Sequence, residues 1–255
     1  MSVGGTDLEF RSIQGDASKP TLVLLHEGLG CVALWRDFPN RLAAATGQAV
    51  FAYSRAGYGG SDPVALPRPL DYMTIEAIDV LPHVLNKANI GRTTLIGHSD
   101  GASIALVYAG KIAAPGLCSV VAIAPHVFAE QFGIDSITTF SATFHDGELR
   151  RRLEKYHGSN VDCAFQGWSQ AWLDPRFLQW TIVPHLAGIE VPVLQIQGLD
   201  DEYGTARQLR CIESAIEAKV YTLLLDACGH APHQQCSDKT LTAITEFCQA
   251  TALHG

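Results

Sequence analysis

Residues 95–103 read LIGHSDGAS: an apolar run stops at Gly97, Ser99 follows two residues later, and Gly101 two after that, at the head of an alanine-rich helical pattern. A strand that turns straight into a helix bends sharply at its middle residue. Side chains two positions to either side would collide there, which glycine avoids. The turn then raises the Ser99 hydroxyl at the C-terminal end of the strand. It also sets it against a helix N-terminus, whose free N–H groups favour an anion. Asp100, at the start of that helix, either caps it in keeping with the dipole or faces a pocket. A nucleophile at Asp100 would put the bulky His98 where the bend demands a small residue, so the frame fits Ser99.

Working outward, five more apolar runs resemble TTLIG (93–97): TLVLL (21–25), QAVFAY (48–53), VVAIA (120–124), VPVLQIQG (191–198) and VYTLLLDA (220–227). Continuous rather than alternating apolarity is the pattern of strands buried on both faces, as in a parallel sheet covered by helices. Helical patterns fall between them, near 36–46, 74–89, 101–111, 203–216 and 237–251. The alternation predicts an α/β fold, doubly wound around a mainly parallel sheet. One span, 126–186, carries no strand pattern but holds Trp168, Trp172 and Trp180. It is expected to be a helical insertion, with 1–125 and 187–255 forming the core. Its tryptophans either pack the insertion helices or wall a substrate pocket. The Arg150, Arg151, Arg152 run reads as a solvated helix face.

Composition excludes several classes. The 255 residues are 47% hydrophobic and 17% charged, which suits a packed core and not a disordered chain. A net charge of −8 argues against nucleic acid as a partner. No apolar run approaches the roughly 20 residues of a membrane span, and the N-terminal MSVGGTDLEF has no secretory pattern. Seven cysteines (Cys31, Cys118, Cys163, Cys211, Cys228, Cys236, Cys248) form no CxxC pair, so no metal site is expected. They read as reduced thiols of a cytoplasmic protein.

A serine hydroxyl needs a base, and the base an orienting acid. His230 in LDACGHAPHQQ follows the last strand pattern, and Asp201 in QGLDDEYGT follows the one before it. In a parallel sheet these loops open at the same edge as Ser99. The chain order is serine, acid, histidine.

With HEGLG (26–30), YSRAGYGGSD (53–62), GHSDG (97–101), GLDDEYG (198–204) and GHAPH (229–233), the chain resembles the α/β-hydrolase fold superfamily over nearly its whole length. The resemblance implies a serine hydrolase with a helical cap and no cofactor or metal. It also favours Asp201, three residues after Gly198, over Asp200 and Glu202. Backbone N–H groups of Asp100 and of Gly28 or Leu29 would line the oxyanion hole. Two departures stand out: Glu27 replaces the glycine that relatives often carry after His26, and Ser54 stands where they commonly carry aspartate. Pocket candidates are Glu27, His126, Trp168, Trp172 and Trp180, and Asp100 with Glu27 would penalise anionic substrates. The expected reaction is hydrolysis of a small carboxylic ester or lactone. Alternatives are carbon–carbon bond hydrolysis of aromatic ring-cleavage products and a ligand receptor on a hydrolase fold. The oligomeric state is not legible.

Overall fold

The computed structural model describes residues 1–112, 114–145 and 147–252. Seven strands form the main sheet: β3 (Phe10–Ile13), β4 (Thr21–Leu25), β5 (Val50–Tyr53), β6 (Thr93–His98), β7 (Leu117–Ile123), β8 (Val193–Gly198) and β9 (Val220–Leu225). They lie in the order β3-β5-β4-β6-β7-β8-β9, while β1 (Ser2–Val3) and β2 (Thr6–Asp7) make a separate small hairpin. All neighbours in the main sheet are parallel except β3, which runs antiparallel to β5. The six apolar runs are β4 to β9. The sequence reading missed β3 because its four residues alternate between exposed and half-buried, as an edge strand does. The other edge corrects the expectation of two buried faces: on β9, Tyr221 and Leu224 are exposed.

Residues alternate between two cores. Leu22, Leu24, Ile96, Val121 and Ile196 face one side, with Phe38 and Leu42 of α1 (Phe38–Thr46). Val23, Leu25, Leu95, Val120 and Ala122 face the other. There they meet α2 (Tyr72–Ile75), which runs through a π turn (Glu76–Val80) into α3 (Leu81–Lys87), and α4 (Asp100–Ile112). Helix α4 is buried from Asp100 to Ala109, so it is apolar on every side and not amphipathic.

Between β7 and β8 the described chain forms α5 (Gln131–His145), α6 (Glu148–His157), α7 (Val161–Trp172) and α8 (Val183–Leu186), with short 3-10 turns. Its one β feature is the isolated bridge Phe128–Thr181. Helix α9 (Arg207–Ala215) follows β8; α10 (Pro232–Gln235) and α11 (Ser237–Ala252) follow β9. The seven cysteines are free thiols, and no helix of the described residues is long and apolar enough to cross a membrane.

Helices α4 and α8 touch backbone to backbone. A Cβ on Gly110 would lie 1.9 Å from the His185 carbonyl oxygen. Gly110→Ala gains about 1 kcal/mol of helix propensity, but two backbones must part to admit the methyl group, and overpacking of this kind costs about 1–3 kcal/mol. A lower denaturant midpoint with an unchanged slope is the expected result.

Candidate active site

The turn after β6 has the predicted shape. Ser99 sits at φ +53°, in the left-handed region, and its N–H donates to the Ile123 carbonyl at 2.9 Å. Both glycines are dictated by backbone contact. A Cβ on Gly97 would lie 2.1 Å from the Gly101 oxygen, and one on Gly101 would lie 1.9 Å from the Leu25 oxygen.

The loops after β8 and β9 meet beside it. His230 Nδ1 lies 2.9 Å and 3.0 Å from the two Asp201 carboxylate oxygens. Asp201 also accepts from the Tyr203 N–H, the Gly204 N–H and Gln197 Nε2. Burial pushes the Asp201 carboxyl up, but the His230 charge and these hydrogen bonds win and hold it well below the usual carboxylate range. Burial likewise opposes charge on His230, and the Asp201 contact outweighs it, so the imidazole is raised. An ionised carboxylate only accepts, so Nδ1 carries the proton and Nε2 keeps its lone pair. Of the rivals, Glu202 accepts the His230 backbone N–H at 3.2 Å, and the His230 ring contact goes to Asp201 rather than to Glu202 or Asp200.

The loop after β4 is held from behind by Arg55, which is buried. Its Nη1 donates to the His26 carbonyl at 2.7 Å and Nη2 to the Glu27 carbonyl at 3.0 Å. The Arg55 N–H donates to His26 Nε2, which puts the ring proton on Nδ1, where it bonds the Glu27 carbonyl at 2.7 Å. Helix α6 contributes His157. Its Nδ1 accepts from the Gly59 N–H, so Nε2 carries the proton and donates to the Leu29 carbonyl, each at 3.0 Å. In a planar trans peptide the N–H points opposite the carbonyl, so the Gly28 N–H is aimed away from Arg55. Ser54 accepts from the Val32 N–H and donates to Glu9; the carboxylate missing from the motif thus arrives from the β2–β3 connection.

These groups open onto a cavity of about 160 Å³. Predicted residues Glu27, Gly28, Leu29, Ser99, His126, Trp168, Trp172 and His230 all line it. Trp180 does not; it stacks on Phe177 with ring centroids 5.2 Å apart and serves packing. Ile137, Phe140 and Tyr203 line the cavity unannounced. Only Tyr203, two residues after Asp201, had a signal in its position. Asp100 is fully buried and does not line the cavity, against the alternative in which it faces a pocket. Its carboxylate accepts from the Tyr72 hydroxyl, which in turn accepts from Trp172 Nε1 at 3.0 Å. Arg55 Nη2 lies 3.7 Å from it, and burial raises its pKa despite these contacts.

His126 packs edge-on to Trp172 and 5.5 Å from the His230 ring. Burial lowers its pKa to about 3, and lowers those of His26, His157 and His233 as well. An unfolded histidine titrates near 6.5. Below that pH the unfolded chain binds protons that these four rings refuse, so their contribution to stability is lost as pH falls through 6.5 toward the folded values. Groups that favour the proton in the folded chain, such as His230, work in the opposite sense but are fewer among the buried rings. The melting temperature is expected to be lower at pH 5 than at pH 7; an equal or higher value at pH 5 would contradict the assignment of neutral rings.

Residues 22–243 match the model of the Alpha/beta hydrolase family. No curated protein matches the sequence. Among solved structures, an esterase from Exiguobacterium antarcticum is similar at TM-score 0.77 and 18% identity, covering 96% of each chain. An enol-lactonase from Burkholderia xenovorans LB400 is similar at TM-score 0.73 and 20% identity, covering 96% of this chain and 97% of that one. A proline iminopeptidase from Mycobacterium smegmatis gives TM-score 0.71 and 16% identity over 99% and 98%. At these identities the likeness is one of fold, whereas the family match spans most of the sequence: the chain belongs to the alpha/beta hydrolase family.

Proposed function

We propose that the protein is a serine hydrolase of small carboxylic esters or lactones, working through an acyl-enzyme. The observation that carries this is the His230–Asp201 contact, which leaves the Nε2 lone pair free at a cavity that Ser99 also lines. Ser99 Oγ attacks the acyl carbon while His230 Nε2 takes its proton and then passes it to the departing alkoxide. Water repeats the sequence in reverse and releases the acid. Asp201 keeps the imidazole in the productive tautomer. The N–H of Asp100, first in α4 and without a helical partner, and the N–H of Gly28 receive the oxyanion; one such donor contributes about 3–4 kcal/mol. Neither metal nor cofactor enters these steps. An esterase and an enol-lactonase among the similar structures support an acyl–oxygen substrate.

Residues 126–186 act in this reading as the cap over the core of 1–125 and 187–255. The cap supplies Ile137, Phe140, Trp168 and Trp172 to the cavity wall. At about 160 Å³ the cavity is close in size to the roughly 150 Å³ apolar cavity that admits benzene. The group it takes is therefore about one six-membered ring, or a short acyl chain.

Fluorophosphonate is expected to label Ser99, and Ser99→Ala to abolish ester turnover while the fold persists. Asp201→Asn is expected to lower kcat by about 10⁴, as in the serine-protease template, with Asp200→Asn close to wild type. Acetyl and butyryl esters should outpace octanoyl esters of the same alcohol. Labelling elsewhere, or a Ser99→Ala protein that keeps most of its turnover, overturns the mechanism; a preference for the octanoyl ester overturns the size argument alone.

A further inference from the structure

Glu27 departs from the glycine that commonly follows the histidine of this loop, and its carboxylate is unused in the steps above. We infer that Glu27 and His98 form a carboxylate–imidazolium pair that positions the backbone of the base, His230, against the oxyanion loop. The positioning role rests on the reading of Ser99 and His230 as nucleophile and base; the pair itself does not.

The proton positions follow from the partners. His98 ends β6, one residue before Ser99, and is buried. Its Nε2 lies 2.7 Å from the His230 carbonyl oxygen. A carbonyl only accepts, so Nε2 carries a proton. Its Nδ1 lies 3.5 Å from Glu27 Oε2, an ion-pair distance, and is buried without a hydrogen-bond partner. A neutral ring would turn the Nδ1 lone pair toward a carboxylate, so that two acceptors would face each other away from water. A ring between two acceptors is matched only when both nitrogens carry protons.

The surrounding groups leave this pairing as the balanced one. His26, His126 and His233 are rings whose pKa burial lowers, and none of them makes a hydrogen bond or ion pair with the Glu27 carboxylate. His233 packs edge-on to His98 at 4.7 Å between centroids. Arg55 spends its Nη2 on the Glu27 carbonyl and faces Asp100. Asp201 is committed to His230. Burial opposes charge on Glu27, yet His98 first, with His26 and His233 after it, outweighs burial and keeps the carboxyl well below its usual range.

The pair therefore forms one chain: Glu27 carboxylate, His98 imidazolium, His230 carbonyl. It runs from the residue before the Gly28 donor to the main chain of the base. With the ring cationic, the 2.7 Å bond from His98 Nε2 to the His230 carbonyl is charge-assisted, and such bonds are about twice as strong as neutral ones. When His230 takes the serine proton, its ring becomes a second cation 5.1 Å from His98, and Glu27 offsets the repulsion between them.

Nitrogen-15 NMR of the full-length protein labelled at histidine tests the pair without any substrate, the His98 signals being those missing from His98→Gln. At pH 7 both His98 ring nitrogens should be protonated in the wild type, and Nδ1 should lose its proton in Glu27→Gln. A neutral His98 ring in the wild type overturns the pair. With a neutral ester, Glu27→Gln should lower kcat roughly tenfold, the scale set by reducing a charge-assisted bond to a neutral one, with KM nearly unchanged. Glu27→Asp should recover part of the loss. Unchanged kcat in Glu27→Gln overturns the positioning role. If the wild type turns over no ester and fluorophosphonate does not label Ser99, the hydrolase mechanism fails instead, and the NMR result still decides the pair.

Discussion

The Leu25 carbonyl oxygen occupies the space where a side chain on Gly101 would begin. Much of the site depends on this backbone contact between the end of β4 and the first turn of α4. Leu25 pairs with Gly97 across the sheet, so the two strands end together. The loop that starts at His26 is thereby brought beside the turn at Ser99. The strain of a serine at φ +53°, about 1–3 kcal/mol for a residue so placed, is sustained because both glycines let the flanking backbones close. The N–H groups of Asp100 and Gly28 belong to segments joined by that contact.

Behind this arrangement lies a layer of buried polar groups in which Arg55 is the hub. A buried guanidinium is costly unless most of its donors are used and its charge is faced by a carboxylate. Arg55 spends Nη1 and Nη2 on the carbonyls of His26 and Glu27 and faces the Asp100 carboxylate, while its Nε is buried without a partner. Loop, helix start and β5 end are thus tied to one planar cation, whose fork geometry a lysine would not reproduce. The insertion is tied in too: His157 reaches the Leu29 carbonyl from α6, and Trp172 reaches Tyr72 and through it Asp100 from α7. Trp168 lies so close to Gly28 that a Cβ there would meet the indole at 2.2 Å. The residues that shape the cavity are therefore in contact with the residues that would do the chemistry.

The parts legible in the sequence are those fixed by local backbone geometry or by apolar runs. Glycine spacing announces the turn, six apolar runs announce β4 to β9, and loop order brings Asp201 and His230 to one edge. Less legible are the features set by distant contacts. Strand β3 is a four-residue edge with half its side chains in water, and its pattern is no stronger than a loop's. Trp180 and Trp172 look equivalent in the sequence and both pack on Phe177, yet only Trp172 also lines the cavity. Ile137 and Phe140, three apart on α5, read only as the apolar side of a helix. Glu9 serves Ser54 across 45 residues, a distance at which no motif signals.

The histidines carry the last constraint. His26, His98, His126, His230 and His233 gather around the strand ends, where closely spaced cations would repel one another in a low-dielectric setting. Two carboxylates reach them, Asp201 at His230 and Glu27 at His98. Burial removes charge from His26, His126 and His233. Their neutral rings then serve as shape and as directed donors or acceptors: His26 bridges Arg55 to Glu27, and His126 walls the cavity beside His230. The count of carboxylates thus limits how many rings can hold a second proton. One of the two carboxylates faces His230, and the other faces His98, whose Nε2 reaches the His230 carbonyl.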